Sequence, residues 1–191
     1  MRIVGGALRG RSLAAPRTQS VRPTSDRLRE TIFDILRHSF GDPAAGAAVI
    51  DLFAGTGALG LEALSRGATR ALFIDDGAEA RALLRQNIES FGLGGVTRVF
   101  RRDATRLGAA PPRERFSLAF LDPPYRKDLA PAALRALHAG GWLTEGAVAM
   151  IEEAADATVS LPEAFVLADA RKYGDTQILF ARYAARASAT P

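Results

Sequence analysis

Short apolar runs alternate with amphipathic stretches from residue 47 onward, and this alternation limits the chain to few folds. The apolar runs predict seven strands, at residues 47–50, 71–74, 96–100, 116–121, 147–151, 164–170 and 176–183. The amphipathic stretches predict helices at residues 58–65, 77–91 and 130–139. Strands that alternate with helices form parallel sheets whose connections share one hand. We therefore predict an α/β fold with a doubly wound, mostly parallel, seven-stranded sheet.

The last two predicted strands are an exception to the parallel pattern. Only a short turn around Tyr173-Gly174-Asp175 separates them, and a parallel pair needs a crossover connection of a dozen or more residues. We predict that these two strands close the sheet as an antiparallel hairpin.

The first 40 residues show a different pattern from the rest of the chain. Residues 2–13 predict a short hairpin that turns at Gly5-Gly6. Thr24, Ser25 and Asp26 are candidate N-caps for a helix that runs to about Phe40. We predict two parts: a small N-terminal extension at residues 1–40 with this hairpin and helix, and the main α/β domain at residues 41–185.

Cysteine is absent from the 191 residues, and only two histidines occur, His38 and His138. This composition excludes disulfides, thiolate zinc sites, cysteine nucleophiles and a histidine-rich metal centre. We therefore predict no metal. No run of residues approaches the ~20 apolar residues that a membrane-spanning helix needs, and no targeting pattern is present. We expect a cytoplasmic protein that does not enter a membrane.

Positive charge is concentrated at the N-terminus. Residues 1–37 contain eight arginines and three acids, a net charge of +5, whereas the remaining 154 residues carry a net charge of −1. Such a basic segment either binds a polyanion or is simply solvated, and charge alone favours neither interpretation. If the segment binds a polyanion, the candidate contact residues are Arg9, Arg11, Arg22 and Arg27.

A glycine-rich turn follows the first predicted strand. Gly55, Gly57 and Gly60 have the spacing of the dinucleotide fingerprint, so a nicotinamide-dependent oxidoreductase is one candidate. Four residues nevertheless separate the end of the apolar run from the first glycine. The acid at the strand end, Asp51, also suits a cationic ligand better than a pyrophosphate. Asp75 ends the second predicted strand, where a carboxylate can accept hydrogen bonds from ribose hydroxyls.

A second cluster, Asp122-Pro123-Pro124-Tyr125, follows the fourth predicted strand. The prolines lack N–H groups and fix their own φ angles, so the backbone is rigid and its carbonyls are free acceptors. Tyr125 supplies an aromatic face and Asp122 a carboxylate. Together these groups can hold a planar base by stacking and accept hydrogen bonds from its exocyclic amine. The alternative is a proline-terminated strand with a packed aromatic residue.

These two clusters together resemble a known class of enzyme. DLFAGTGALGLEALSRGA (51–68) with DPPY (122–125) is similar to S-adenosylmethionine-dependent methyltransferases that modify exocyclic amines of bases. RGR (9–11), RPTSDRLRE (22–30) and KYGDTQILF (172–180) resemble, more narrowly, the bacterial 16S rRNA (guanine-966-N2)-methyltransferase family. The resemblance implies a Rossmann-like methyltransferase sheet, S-adenosylmethionine as cofactor, and 16S rRNA or the small ribosomal subunit as partner.

The resemblance also assigns roles to residues. It implies that the cofactor contacts Asp51, Phe53, Ala54, Gly55, Gly57, Asp75, Asp76, Asp103 and Ala104. It implies a catalytic role for Asp122, Pro123, Pro124 and Tyr125. The chain departs from the family at Thr56, where serine is commoner, and at Asp75, where glutamate is commoner. Because Asp76 adjoins the shorter Asp75 side chain, the choice between them as ribose ligand stays open.

The predicted reaction is direct methyl transfer to the N2 amine of guanine. Hydrogen bonds from that amine to Asp122 and the Pro123 carbonyl favour a more nucleophilic nitrogen, and no strong base is needed. The absence of cysteine excludes cytosine-C5 methylation. The alternatives are an adenine-N6 or other nucleic-acid amine methyltransferase, a nicotinamide-dependent oxidoreductase, and a noncatalytic RNA-binding protein. We expect a monomer.

Overall fold

The computed structural model describes residues 1–15 and 25–185. In chain order the elements are α1 (Asp26–Phe40), β1 (Ala48–Leu52), α2 (Ala58–Ser65), β2 (Arg70–Ile74), α3 (Ala78–Phe91), a 3₁₀ turn (Gly94–Val96), β3 (Thr97–Phe100), β4 (Phe116–Leu121), α4 (Leu129–Ala139), β5 (Leu143–Ala154), β6 (Phe165–Tyr173) and β7 (Thr176–Tyr183). No helix within this described part of the chain is long and apolar enough to cross a membrane.

The seven strands form one sheet in the order β3-β2-β1-β4-β5-β7-β6. The first five strands of this order are parallel, whereas β7 is antiparallel to both β5 and β6. The predicted doubly wound sheet with a closing antiparallel hairpin is confirmed. The strand order reverses at β1, and α/β folds bind ligands beside such a switch point, beyond the carboxyl ends of the strands.

Both faces of the sheet are covered at its central strands, which explains why β1, β2, β4 and β7 read as continuous apolar runs, whereas the edge strand β6 is mostly exposed. The N-terminal segment, α1, α2 and α3 pack on one face, and α4 packs on the other. On the first face the ring of Phe33 lies 5.6 Å from that of Phe120 in β4, and Phe40 lies 5.2 Å from Phe180 in β7. These aromatic contacts hold α1 directly against the centre of the sheet.

Strand β5 is longer than the sequence predicts. The apolar run predicts residues 147–151, but pairing with β7 continues to Ala154, opposite Thr176. Glu152 and Glu153 lie in this extension and are buried, with 4% of each residue exposed. The prediction stopped short because two adjacent acids normally mark the end of a buried strand.

The predicted N-terminal hairpin is present only as a loop closed by a single antiparallel bridge between Arg2 and Ser12, and its turn lies at residues 7–10 and not at Gly5-Gly6. The Ile3 N–H donates to the Arg11 carbonyl at 3.0 Å. Ser25 caps α1 by accepting from the Leu28 N–H at 3.1 Å. Asp26, another candidate cap, is instead the first residue of α1, and the third candidate, Thr24, lies outside the described residues. Ile3 is fully buried in the same apolar core as α1. The division between residues 40 and 41 stays a prediction.

A buried carboxylate in α2 fixes this N-terminal loop. The side chain of Glu62 is fully buried and accepts hydrogen bonds from the N–H groups of Val4 and Gly5, both at 2.8 Å. It also binds the Arg66 Nε at 2.7 Å and lies 3.5 Å from the Arg29 Nε. Buried charges need such partners because their desolvation is costly. One carboxylate therefore joins the N-terminal loop, α1 and α2.

Ser65, at the end of α2, adds three bonds to the same loop. Its hydroxyl donates to the Gly5 carbonyl at 2.6 Å and accepts from the Leu8 N–H at 2.9 Å, and its own carbonyl accepts from the Ala7 N–H at 2.7 Å. Gly6 has a φ of +75°, and a Cβ there would lie 1.9 Å from the Ser65 carbonyl oxygen. The close contact between Gly6 and the Ser65 carbonyl therefore requires glycine at this position.

Replacing Glu62 with Gln should strongly destabilise the protein. The variant keeps the side-chain volume but removes the negative charge beside Arg29 and Arg66. We expect the free energy of unfolding to fall by about 3–5 kcal/mol, measured by urea denaturation with circular dichroism. Glu79→Gln, at an exposed position in the first turn of α3, is the control and should cost less than about 1 kcal/mol. A similar small cost for both variants would contradict the prediction.

Candidate active site

The parallel register of β1, β2 and β4 brings the ends of these three strands together. Leu52, the last residue of β1, pairs with Ile74 of β2 and Leu121 of β4. The glycine loop after β1, Asp75 after β2 and Asp122 after β4 therefore meet at one edge of the sheet. Residues that are widely separated in the sequence thus form one site.

A cavity of about 550 Å³ opens at this edge. Its volume lies within the roughly 300–1,000 Å³ typical of small-molecule sites. It is lined by Phe53, Gly55, Ile74, Asp75, Asp76, Ala80, Arg102, Asp103, Ala104, Asp122, Pro123, Pro124 and Tyr125. The structure thus brings the Asp122–Tyr125 cluster and most of the expected cofactor residues around one space.

Three lining residues were missed by the sequence analysis: Ile74, Ala80 and Arg102. Ile74 ends β2 and Arg102 precedes Asp103, so their positions next to predicted site residues were available signals. Ala80 gave no signal, because a small apolar residue in a helix is ordinary. Only the packing of α3 against β3 places it at the cavity.

Asp51, Ala54 and Gly57 are not among the lining residues and instead shape the loop. The carboxylate of Asp51 accepts a hydrogen bond from the Gly60 N–H at 2.9 Å, below the start of α2. Gly57 has a φ of +80°, and a Cβ there would lie 2.3 Å from a methyl group of Leu84. Ala54 is buried, and its N–H donates to the Ile74 carbonyl at 3.1 Å.

The burial of Asp51 changes its protonation. Only 2% of the residue is exposed. Burial raises its pKa to about 8, and the nearby Asp75 carboxylate adds to the rise, whereas the Gly60 hydrogen bond opposes it. The Asp51 carboxyl is therefore mostly protonated at neutral pH in the ligand-free protein. It acts there as a neutral hydrogen-bonding group under the glycine loop.

Asp75 connects the glycine loop to the start of α3. One carboxylate oxygen accepts from the Gly55 N–H at 2.8 Å, and the other accepts from the Gly77 N–H at 2.8 Å. Each oxygen can accept a further hydrogen bond. The neighbouring Asp76 is exposed and also lines the cavity. Asp75 is thus a fixed acceptor at the end of β2.

A buried asparagine in α3 joins the glycine loop to the N-terminal segment. Asn87 is 1% exposed, its amide oxygen accepts from the Ala14 N–H at 2.7 Å, and its amide nitrogen donates to the Thr56 carbonyl at 2.9 Å. The sequence analysis missed this residue, although a polar side chain on the apolar face of a helix was a usable signal. Asn87 therefore anchors both the basic N-terminus and the glycine loop.

The Asp122–Tyr125 cluster is held by the strands beside it. The Tyr125 hydroxyl lies 2.6 Å from a Glu152 carboxylate oxygen, to which it donates, and 3.0 Å from the Thr176 hydroxyl. Burial and the Glu152 bond raise the pKa of Tyr125, so the phenol stays protonated. Glu153 accepts from the N–H of Arg126, the next residue, at 2.9 Å. The adjacent acids of β5 thus fix the position of the cluster.

Asp103 follows β3 at the far side of the cavity. Its carboxylate accepts from the Thr105 N–H at 2.8 Å and from the Thr105 hydroxyl at 2.7 Å. These two bonds lower the pKa of Asp103, so its side chain is ionised at neutral pH. Ala104 is buried beside it. This end of the cavity combines an acceptor with a small apolar surface.

The candidate RNA-binding arginines differ in their surroundings. Arg9 and Arg27 are exposed. Arg11 donates to the Ser90 carbonyl, and its guanidinium lies 4.8 Å from the centre of the Phe91 ring. Arg22 lies outside the described residues. Arg11 thus attaches the N-terminal loop to the end of α3, and the RNA-binding role of the four residues stays a prediction.

Known proteins match this chain over most of its length. The family described as conserved hypothetical protein 95 matches residues 1–182. The ribosomal RNA small subunit methyltransferase D of Escherichia coli is 38% identical over 152 residues, 80% of this chain and 74% of that protein. YlbH of Bacillus subtilis, described as a candidate rRNA methyltransferase, is 39% identical over 165 residues, 85% and 86% of the two chains. The solved structure of yhhF from Escherichia coli, described as a candidate methyltransferase, superimposes with a TM-score of 0.82, 31% identity and coverage of 97% and 99%.

Asp51 predicts a pH dependence of stability. Its pKa rises from 3.8 to about 8 on folding, so folding takes up a proton between these values. The contribution of Asp51 to stability is therefore lost as the pH rises through this window, by up to about 1.4 kcal/mol per pH unit. In urea unfolding of the ligand-free protein, wild type should lose stability relative to Asp51→Asn between pH 5.5 and 8.5. A stability difference that is independent of pH would contradict this assignment.

Proposed function

Because the chain belongs to the family of the small-subunit ribosomal RNA methyltransferases D, we propose that it methylates the exocyclic N2 amine of a guanine in 16S rRNA, using S-adenosylmethionine. The matches to these relatives confirm the resemblance to rRNA methyltransferases. The observation that carries the proposal is the shared cavity, since the Asp122–Tyr125 cluster and the glycine loop with Asp75 line the same space. A methyl donor and an acceptor base would meet there.

The residues around the cavity fit S-adenosylmethionine. Asp75 is a fixed acceptor suited to ribose hydroxyls, and we assign it this role because both of its oxygens are positioned by backbone N–H groups. Ile74, Ala80 and Ala104 supply apolar surface for the adenine, and Asp103 supplies an acceptor beside it. The cofactor brings a methyl group already activated by a sulfonium. The chain therefore contributes mainly binding and positioning.

The Asp122–Tyr125 cluster has the groups needed to hold the acceptor amine. Asp122 and the Pro123 carbonyl accept hydrogen bonds from N2, which favours a tetrahedral nitrogen whose lone pair is available for attack. The Tyr125 ring offers a stacking surface for the base, and its hydroxyl is fixed by Glu152 and Thr176. The methylated amine is acidic and loses its proton readily, so no strong base is required.

The N-terminal segment is proposed to bind the phosphate backbone. Arg9, Arg11, Arg22 and Arg27 would position the RNA, while the cluster at the cavity selects the base. The partner is then 16S rRNA or the small ribosomal subunit, encountered by a monomer in the cytoplasm. In this arrangement residues 1–40 contribute mainly to RNA binding, and residues 41–185 hold the cofactor and the base.

Asp122→Ala tests the assignment of the acceptor site. We expect methyl transfer to fall at least about 100-fold, because an acceptor for the amine is lost. Binding of S-adenosylhomocysteine, measured by calorimetry, should change little. Transfer is measured with tritiated S-adenosylmethionine and small subunits from cells that lack the enzyme. Asp34→Ala, at an exposed position in α1, is the control and should retain full activity.

The modified base is identified in the same experiment. Digestion of the labelled RNA to nucleosides and mass spectrometry should give N2-methylguanosine. N6-methyladenosine, or transfer that survives in Asp122→Ala, would contradict the proposed reaction.

The basic N-terminus is tested by point substitutions, because deletion would remove the buried Ile3 and Leu13 from the core. We expect Arg9→Gln combined with Arg27→Gln to weaken RNA binding and to make it less dependent on salt. Each lost phosphate contact lowers the slope of log affinity against log salt concentration by about 0.7–0.9. Fluorescence anisotropy with labelled 16S rRNA measures both quantities. Unchanged affinity and slope would mean that this segment is only solvated.

A further inference from the structure

A second groove, of about 380 Å³, lies at the amino ends of β2, β3 and β4. This edge of the sheet is opposite the one that holds the proposed active site. Its lining includes Arg70, Arg98, Pro111, Pro112, Arg113 and Glu114. Neither the family resemblance nor the proposed reaction gives these residues a role.

Two of the arginines are held in place by their neighbours. Arg70 donates to the Arg115 carbonyl at 3.0 Å, and its guanidinium lies 5.7 Å from the centre of the Phe116 ring. Arg98 lies 3.3 Å from a carboxylate oxygen of Glu114. The Arg98 side chain is nevertheless 67% exposed, so its guanidinium remains accessible to a ligand. Side chains fixed in this way lose less conformational entropy when they bind.

The third arginine lies on a strained turn. The Glu114 N–H donates to the Pro111 carbonyl at 3.0 Å and closes a tight turn through Pro112 and Arg113. Arg113 has a φ of +65°, a conformation that costs a residue with a side chain about 1–2 kcal/mol and that glycine adopts freely. Such strain is typically retained where the side chain has a function. The Arg113 side chain lines the groove.

The charge of the groove favours an anionic ligand. Three arginines and a single acid line it, and the Glu114 side chain is 12% exposed and paired with Arg98. Guanidinium groups match phosphate oxygens in a planar, two-pronged geometry. Resting on the proposed function, we propose that this groove is a second contact surface for the RNA acceptor and that Arg70, Arg98 and Arg113 bind its phosphate backbone.

The position of the groove indicates which part of the RNA it contacts. Arg70 lines the groove and Asp75 lines the cavity, and the five steps between them along β2 measure roughly 16 Å at about 3.3 Å per residue. The groove therefore binds nucleotides several positions from the target base. Contacts to phosphates carry no sequence information but fix the orientation of the RNA at the active site.

The double variant Arg70→Gln/Arg113→Gln tests this contact. Losing two phosphate contacts should lower the slope of log affinity against log salt by about 1.5. The ratio of the wild-type RNA affinity to that of the variant should therefore fall about eightfold between 50 and 200 mM salt. Binding is measured by anisotropy with 16S rRNA transcribed in vitro, and with small subunits from cells lacking the enzyme. Arg135→Gln, at an exposed position in α4 outside the groove, is the control.

A second variant, Arg113→Gly, separates RNA binding from folding. Glycine relieves the strain at a φ of +65°, so the thermal stability should be retained or increased while RNA affinity falls. Wild-type affinity and slope in both groove variants would overturn the proposal. Weaker binding to the subunit alone, with unchanged binding to naked rRNA, would indicate a protein partner and would also overturn it.

The RNA-binding test of the groove does not depend on whether the proposed methyl transfer occurs. If wild type transferred no methyl group to the subunit, the proposed function would fail, whereas the groove is judged on binding alone. Calorimetry with S-adenosylhomocysteine should give wild-type affinity for both groove variants, because the groove lies at the opposite edge of the sheet from the cavity.

Discussion

The parallel pairing of β1 with β2 and β4 is the constraint on which the site depends. Packing on both sheet faces fixes this register, because a shift of one residue would move each side chain to the opposite face, where it would not fit the side chains packed there. With Leu52 opposite Ile74 and Leu121, the glycine loop, Asp75 and Asp122 are brought to one edge. The cavity follows from strand register, and side chains 20 to 70 residues apart become neighbours.

Buried polar side chains then connect this site to the N-terminus. Glu62 binds the backbone of Val4 and Gly5, and Asn87 joins Ala14 to Thr56 of the glycine loop. A buried polar group is costly unless every partner is in place, so these contacts specify one arrangement of the loops. The basic segment proposed to bind RNA is therefore attached firmly to the helices beside the cavity.

Three acidic side chains in and near the cavity have different roles because their surroundings differ. Asp51 is buried and mostly protonated, Asp103 is exposed and ionised, and Glu152 is buried as the partner of Tyr125. Asp51 and Asp103 have the same pKa in water, but burial raises that of the first and hydrogen bonds to Thr105 lower that of the second. Residue type alone therefore does not reveal which acid contacts a ligand.

The sequence by itself determined the element order, the closing hairpin, the glycine loop, the Asp122–Tyr125 cluster and the family, because these are local patterns. Only the tertiary structure decided the partners of buried polar groups. Tyr125 and Glu152 are 27 residues apart, Arg70 and Arg115 are 45 apart, and Ala14 and Asn87 are 73 apart. The groove arginines looked like ordinary surface charge. Their grouping depends on which strand ends the sheet places side by side, and no local pattern encodes that.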